Sequence, residues 1–306
     1  MFETLSKVDQ IVNDIKKTAT ISNEEKTRKK LNKIIKDGFD NLHVISDFDA
    51  TMTSYWTDNK KRNPGSHSVL GSSKHLSDQF RTRTKELYEK YYSIEIDSHK
   101  SRQEKIPYMV EWWEKAHELL INEKINKDDL AKMAAESTIK MRPGLASLIN
   151  TCNEKKVPLL IFSAGLGNVI EQILRIKNLY YQDTMHIVSN QMEFNPVTGI
   201  CNHFKEPLIH VFNKSEVVVK DSPYRTAIEE RRNVILLGDS IGDLQMSYGI
   251  SHDTSLTIGF LNFKIDELLD EYLKSFDIVV TDDGPMDCVN IILSNIDNCD
   301  RFHFIH

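Results

Sequence analysis

Two kinds of hydrophobic pattern alternate along the chain. Residues 1–40 are polar and lysine-rich, with apolar positions at helical spacing (Ile11 and Ile15; Leu31, Ile34 and Ile35), which predicts two helices on the surface of a core. Short β-branched runs follow: HVIS (43–46), VPLLIF (157–162), NVILLG (233–238) and DIVV (277–280). Such continuous apolar runs suit strands buried on both faces, as in a parallel sheet. Helical patterns lie between them, at 168–177 and 265–274. Strand–helix alternation of this kind predicts an α/β fold with a mostly parallel, Rossmann-like sheet and right-handed crossovers.

The stretch 54–140 breaks that rhythm. It is long and polar, with Phe80, Leu87, Tyr88 and Tyr91 on one helical face and Met109, Val110, Trp113, Ala116 and Leu120 on another. Nothing in it reads as a buried strand. The expectation is a helical cap domain (54–140) inserted after the first strand of a discontinuous core domain (1–53 and 141–306). Residues 190–204, with a central Pro-Val-Thr-Gly, read as a β-hairpin ahead of a PLIHVF strand (207–212).

Composition narrows the partners. The 306 residues carry a net charge of −6, which argues against binding a nucleic-acid polymer, usually marked by a basic surface. A small anionic ligand remains compatible, because a local site can be positive inside an acidic protein. No segment approaches the roughly 18 apolar residues of a membrane span, and the first residues lack a signal peptide's apolar stretch. No membrane partner, a cytoplasmic location and a monomer are expected. Cys152, Cys201, Cys288 and Cys299 are scattered, without CxxC spacing, and reduced thiols are expected.

Three of the strands end in the residue types that phosphoryl transfer needs. HVIS runs into Asp47-Phe48-Asp49-Ala50-Thr51, VPLLIF into Ser163-Ala164-Gly165, and NVILLG into Asp239-Ser240-Ile241-Gly242-Asp243. In open α/β sheets ligands bind outside the carboxyl ends of the strands, so three such motifs converge on one edge. A carboxylate can attack phosphorus to form an aspartyl-phosphate. A second carboxylate can protonate the leaving alcohol and later deprotonate water. Asp47 and Asp49 fit those two roles. Asp239 and Asp243 supply further oxygen ligands, and an oxygen-only set beside a phosphate suits Mg²⁺. The alternative for any single aspartate after a strand is a helix N-cap or turn. The Ser163 hydroxyl, with the amides of Ala164 and Gly165, suits phosphate oxygens near a helix N-terminus. A lysine is wanted to neutralise charge, and the residues alone do not rank Lys205, Lys214 and Lys220.

With these residues identified, the chain resembles the haloacid dehalogenase superfamily of phosphatases, whose first motif DxDxT is matched by DFDAT. Ser163, a lysine and the Asp239/Asp243 pair stand where motifs two, three and four should. More closely it resembles the cytosolic 5′-nucleotidase III (pyrimidine 5′-nucleotidase) family. That likeness rests on SDFDATMT, YYSIEID (91–97), PYMVEWWEKAH (107–117), IFSAGLGNVIE (161–171), HIVSNQMEF (186–194), LIHVFNK (208–214) and NVILLGDSIGDLQM (233–246). It spans roughly residues 25 to 290.

The resemblance implies a capped Rossmann-like core. It implies Asp47 as nucleophile and magnesium ligand, and Asp49 as general acid/base that also meets the metal through its carbonyl. Ser163 and Ala164 would bind phosphate with Lys214, the lysine of FNK. Asp239 would ligate magnesium, with Asp243 supporting the site, and Glu95 matches the base-recognising glutamate. Trp113 looks like the branch that also accepts 7-methylguanosine monophosphate, since a cationic purine stacks well on indole; Ala116 stands where some members carry serine. The alternative is that the Trp pair merely packs the cap, which is the expectation for Trp112. The segment 57–74 does not match the family pattern closely.

The expected function is therefore Mg²⁺-dependent hydrolysis of nucleoside 5′-monophosphates (CMP, UMP and 7-methyl-GMP). Its rivals are phosphotransfer to a nucleoside, hydrolysis of another small phosphorylated metabolite, and an inactive nucleotide-binding scaffold. His303 and His306 in the tail lack further metal ligands, DDGPMD (282–287) reads as a solvated loop, and the lysines of 26–36 read as a solvated helix face.

Overall fold

A computed structural model of the chain describes residues 6–97, 99–214 and 223–296; Lys220, Cys299, His303 and His306 lie outside them. The N-terminal helices are α1 (Lys7–Ile15) and α2 (Glu24–Asp37), each capped by the side chain of the residue before it, Ser6 and Asn23. A two-residue strand β1 (Thr20–Ile21) lies between them. Then come β2 (Leu42–Ser46), the helices α3 (Ser66–Gly71), α4 (Asp78–Glu95), α5 (Arg102–Asn122) and α6 (Asp129–Glu136), and α7 (Leu145–Glu154). Strand β3 (Leu159–Leu166), helix α8 (Gly167–Ile176), strand β4 (Met185–Asn190) and the hairpin β5 (Met192–Phe194) and β6 (Cys201–Phe204) follow. The chain closes with α9 (Pro223–Ala227), β7 (Asn233–Gly238), β8 (Thr254–Leu261), α10 (Ile265–Ser275), β9 (Ile278–Thr281) and α11 (Asp287–Ser294).

Seven strands form one sheet in the order β1-β9-β8-β7-β2-β3-β4, with every neighbouring pair parallel except β1 on β9. The pleat explains why its central strands carry continuous apolar runs. Val44, Ile161, Ile235 and Leu237 point into the larger core, under α1, α2, α7, α8 and α11. Their neighbours Ile45, Leu160, Phe162, Val234 and Leu236 point into a second core that also holds Tyr224, Ile228 and Met246. Successive side chains thus leave opposite faces of a doubly covered sheet. Each fully buried Leu or Ile contributes about 1.5–3 kcal/mol relative to exposure.

The order also locates the site. From β2 the chain moves to β3 and β4 on one side, then crosses to β7, β8 and β9 on the other. The residues after β2 therefore sit at the topological switch point, where α/β sheets open a crevice.

Between β2 and β3 the described residues contain helices but no strand, only isolated bridges such as Thr53 with Met141. Helices α4 and α5 pack on each other, while α3 and α6 pack on α8 of the core. No helix among the described residues is long and apolar enough to cross a membrane.

Three sequence expectations are corrected. PLIHVF is not a strand: the backbone of Leu208, Ile209 and His210 is held by the side-chain amides of Asn190 and Asn213 instead of a neighbouring strand. The sheet also contains β1, β4 and β8, none of which forms one of the runs above. The 282–287 segment is not simply solvated: Asp283 accepts the backbone amides of Tyr55 (2.7 Å) and Trp56 (3.0 Å).

Candidate active site

The carboxyl edge of β2 is built for convergence. Asp47 follows Ser46, and its amide still donates to Leu237 O of β7 at 3.0 Å. The chain then turns through Ala50, at φ 62°, a left-handed conformation rare for a residue with a Cβ. The turn is closed by Ala50 N donating to Thr53 Oγ1 at 2.8 Å. Asp47 and Asp49 both face the crevice it leaves.

On one flank, β3 pairs with β4 until Phe162, and the register shifts before Leu166. That irregularity takes Ser163-Ala164-Gly165 out of the ladder; bulges are frequent beside active sites because they re-aim the backbone. Gly165 N donates to Ser163 Oγ at 3.0 Å, and Asn190 Nδ2 holds Ala164 O at 2.7 Å. A Cβ on Gly165 would lie 1.9 Å from Ser66 Oγ, so only glycine fits.

On the other flank, β7 delivers Asp239. Asp243 lies one turn further on, in a capping box where Ser240 N donates to Asp243 Oδ2 at 3.0 Å. Tyr272 of α10 donates to Asp239 O at 2.5 Å. Lys214, buried, reaches in from the 208–214 loop, donating to Asp47 and to Asp243 (2.9 Å). Among the lysines left unranked by sequence, this one is therefore at the site, and Lys205 is exposed.

The electrostatics follow from this crowding. Burial, set against the ion pair with Lys214, raises the Asp47 carboxyl, and Asp243 and Asp49 add to the rise. Burial, then Asp47 and Asp243, hold Asp239 well above the ordinary carboxylate range. Burial lowers the affinity of Lys214 for its proton, but Asp243 and Asp47 outweigh it, so the ammonium is held above its ordinary value. Carboxylate oxygens of Asp47, Asp239 and Asp243 lie within 4.8 Å of one another. An oxygen-only donor set whose members repel one another fits a hard divalent cation such as Mg²⁺.

Asp49 is held differently. Its oxygens accept Ser66 N at 2.7 Å and Ser66 Oγ at 2.8 Å, and burial, against those two bonds, raises its carboxyl. Ser66 opens α3, so one carboxylate of the turn is oriented by a residue from the inserted segment.

One cavity of about 680 Å³ joins this edge to the inserted helices. Asp47, Asp49, Ser163, Ala164, Lys214, Asp239 and Asp243 line its floor, and Glu95 and Trp113 its opposite wall. All nine residues singled out from sequence thus face one space. Glu95 ends α4, half-buried, and burial, opposed by Lys105 and Lys214, pushes its carboxyl up to about 7. Trp113 meets His67 edge-on, ring centroids 5.3 Å apart, and lies near-parallel to Trp112 at 5.9 Å. Trp112 stacks on Tyr91 at 5.8 Å, the packing role expected of it, yet also borders the cavity.

Sequence reasoning missed Arg62, His67 and Tyr92, which also line the cavity, and Ser66, which holds Asp49. Three of these come from 57–74, the stretch that matched no pattern. His67 is held neutral by burial, its affinity for a proton lowered to about 4, and its buried Nε2 has no hydrogen-bond partner among the described residues. Arg62 lies over the Tyr55 ring at 3.6 Å. A loop with no periodicity carries no signal for such contacts; the Asn-Pro-Gly-Ser turn before α3 is the one local hint.

A model of the pyrimidine 5′-nucleotidase (UMPH-1) family matches residues 50–297. The 7-methylguanosine phosphate-specific 5′-nucleotidase of Homo sapiens is 44% identical over 262 residues, 85% of this chain and 86% of that one. The 7-methylguanosine phosphate-specific 5′-nucleotidase A of Xenopus laevis is 41% identical over 279 residues, 91% of this chain and 95% of that one. Among solved structures, cytosolic 5′-nucleotidase IIIB bound to cytidine superposes with a TM-score of 0.88 at 31% identity, covering 95% of this chain and 98% of that one.

Proposed function

The chain belongs to the pyrimidine 5′-nucleotidase (UMPH-1) family, and from that premise we propose that it is a Mg²⁺-dependent 5′-nucleotidase acting on CMP, UMP and 7-methyl-GMP. As a 5′-nucleotidase it is a phosphoric monoester hydrolase. The observation that carries the finer reading is the shared cavity, which joins the Asp47–Lys214 pair to Glu95 and Trp113. A nucleoside monophosphate has the matching polarity, with phosphate at one end and base at the other. Residues 54–140 act as a cap domain over a core of 1–53 and 141–306, and the protein works as a cytoplasmic monomer.

Asp47, Asp239 and Asp243, with the carbonyl of Asp49, would hold the Mg²⁺. Bound there, the ion offsets negative charge on the carboxylates and on the phosphate. Ser163 Oγ, the amides of Ala164 and Gly165, and Lys214 hold the phosphate oxygens. The Asp47 carboxylate attacks phosphorus, the P–O5′ bond breaks, and Asp49 donates its proton to the leaving 5′ oxygen. Asp49 then takes a proton from water, whose oxygen attacks phosphorus and frees Asp47. Burial raises the Asp49 carboxyl, which favours the proton the first step needs, and Ser66 keeps it oriented. At the far end the Glu95 carboxylate accepts from an exocyclic amine or ring N–H of the base, which lies against Trp113.

The names of the Homo sapiens and Xenopus laevis relatives favour a methylated purine, and the cytidine in the solved neighbour favours a pyrimidine. Phosphate release from CMP, UMP, GMP, AMP and 7-methyl-GMP, with and without Mg²⁺ and beside Asp47→Asn, tests the reading. Selective cleavage requiring both Mg²⁺ and Asp47 is expected. Cleavage of an aryl phosphate but of no nucleotide would leave the catalytic steps and remove the cap argument.

A further inference from the structure

Arg142 returns the chain from the inserted helices to the core, and its side chain is wholly buried. Its guanidinium has five N–H donors, and each has an acceptor. Nε donates to Thr51 O at 2.6 Å; one terminal nitrogen donates to Gly284 O at 2.7 Å and pairs with Asp283 Oδ1 at 3.1 Å. The other donates to Ala50 O and to Asn262 Oδ1 at 3.0 Å, while Asn262 Nδ2 donates back to Ala50 O at 3.0 Å. The face of the guanidinium covers Phe260, 4.4 Å from the ring centroid. Asp283, meanwhile, takes the amides of Tyr55 and Trp56.

Two of these acceptors belong to the turn that aims Asp47 and Asp49. Ala50, directly after Asp49, carries the left-handed backbone of that turn, and among the described residues no strand donates to its carbonyl. Burying a guanidinium is costly, and well-packed apolar side chains often serve stability as well or better. An apolar side chain at 142 would take the Arg142 donors from both carbonyls, leaving the Asn262 amide on Ala50 O. Fully satisfied buried networks confer rigidity and a unique geometry.

We propose that Arg142 and Asp283 are a positioning pair for the nucleophile turn: neither touches substrate, and together they hold Ala50 and Thr51 so that Asp47 and Asp49 face the phosphate at fixed separation. The assignment rests on the phosphatase reading above. It also gives a function to the 282–284 turn, whose carboxylate ties the start of the inserted segment to the same point.

The test uses Arg142→Lys, Arg142→Met and Asp283→Asn, with Ile292→Ala in α11 as a core control that destabilises away from the turn. Thermal unfolding, kcat and KM are measured on the best nucleotide and on p-nitrophenyl phosphate. Nucleoside affinity is read from tryptophan fluorescence. The expected result is a kcat about 10- to 100-fold lower on both substrates, with nucleoside affinity within about twofold of wild type. Ile292→Ala should lose thermal stability and keep its kcat. Variants that lose stability but keep kcat, as the control does, would overturn the proposal. So would a loss confined to the nucleotide, which would mean that the pair acts only on the cap linker. If neither Arg142 variant folds, Asp283→Asn decides alone, since it keeps its size and one acceptor oxygen. A wild type that cleaves neither substrate sinks the functional reading and this assignment with it. A working wild type with unaffected variants sinks the assignment only.

Discussion

The floor and the opposite wall of the cavity are built on opposite principles. On the floor, Asp47 and Asp243 are paired with Lys214, and Asp49 is held by Ser66. The groups stand at strand ends or in loops pinned by buried side chains such as Asn190 and Arg142. The wall is a pair of helices, α4 and α5, whose rings lean on one another, Tyr88 on Tyr92 and Trp112 on Tyr91, with Trp113 against His67 of α3. Its carboxyl group, Glu95, is raised by burial against the charges of Lys105 and Lys214. Chemistry needs atoms fixed to fractions of an ångström, and interlocked buried pairs supply that. Recognition of a base needs a flat apolar surface and a few polar atoms, and stacked rings supply those while tolerating exchange. Substitutions on the floor should therefore abolish turnover of every phosphate ester, and those on the wall should change which ester is preferred.

The largest expected effect breaks the floor. Asp47→Asn should lower kcat by about 10⁴-fold or more, to the level that binding and charge alone sustain. Lys214→Met should follow, at about 10²- to 10³-fold in kcat, and should destabilise the fold by leaving two buried carboxylates unpaired. Steady-state rates on a nucleotide and on an aryl phosphate check both. Equal losses on the two substrates are expected; a nucleotide-only loss would erase the distinction drawn here.

Glu95→Gln tests the wall. It should reduce kcat/KM for the preferred nucleotide by about 10- to 100-fold, because an acceptor built for a base N–H is replaced by a weaker one. The rate on an aryl phosphate should stay the same. A pH series sharpens the point. Burial raises the Glu95 carboxyl to about 7, so below that pH it is protonated and becomes a weaker, neutral acceptor. KM for the nucleotide should rise as pH falls from 8 to 6, and Glu95→Gln should flatten that limb. Stability runs the other way. The folded-state value lies above the unfolded one, so the folded state holds the proton more tightly. The stability that Glu95 contributes at pH 5 is lost as pH rises through about 7. Thermal unfolding of Glu95→Gln should therefore gain on wild type from pH 5 to pH 8.

The same contrast governs what could be read from sequence. Strands β2, β3 and β7 are buried at every position and mostly apolar because both faces are covered, and that pattern, with the polar motifs at their ends, is visible in one dimension. Strand β4 has half-exposed positions, and β8 interleaves Thr and Ser with its apolar residues, so neither forms a continuous run. PLIHVF has strand composition, but its backbone is satisfied by amide side chains, which no periodicity records. Asp283 read as solvent-facing because its partners Tyr55 and Trp56 stand 228 and 227 residues away. Ser66 and His67 were invisible for the same reason: their roles come from where an aperiodic loop is carried, not from the loop's own pattern.

The smallest and most selective prediction concerns Trp113. A base stacked on an aromatic side chain loses about 1–3 kcal/mol on substitution by alanine, but that change alone would not say which base the ring favours. Trp113→Phe keeps a flat apolar ring and weakens the negative face of the π-system. For a neutral pyrimidine the exchange should cost little. For 7-methyl-GMP, whose purine carries positive charge, the cation–π part of the contact is at stake, about 0.5–2 kcal/mol. The ratio of kcat/KM for 7-methyl-GMP over CMP should therefore fall by roughly 2- to 30-fold in Trp113→Phe. Turnover of an aryl phosphate should not move. An unchanged ratio would mean that Trp113 packs the wall, as Trp112 does through Tyr91, and would transfer base recognition to Glu95 and the unpartnered Nε2 of His67. A fallen ratio would make one ring the point at which a pyrimidine nucleotidase becomes able to take a methylated purine, on a floor that need not change at all.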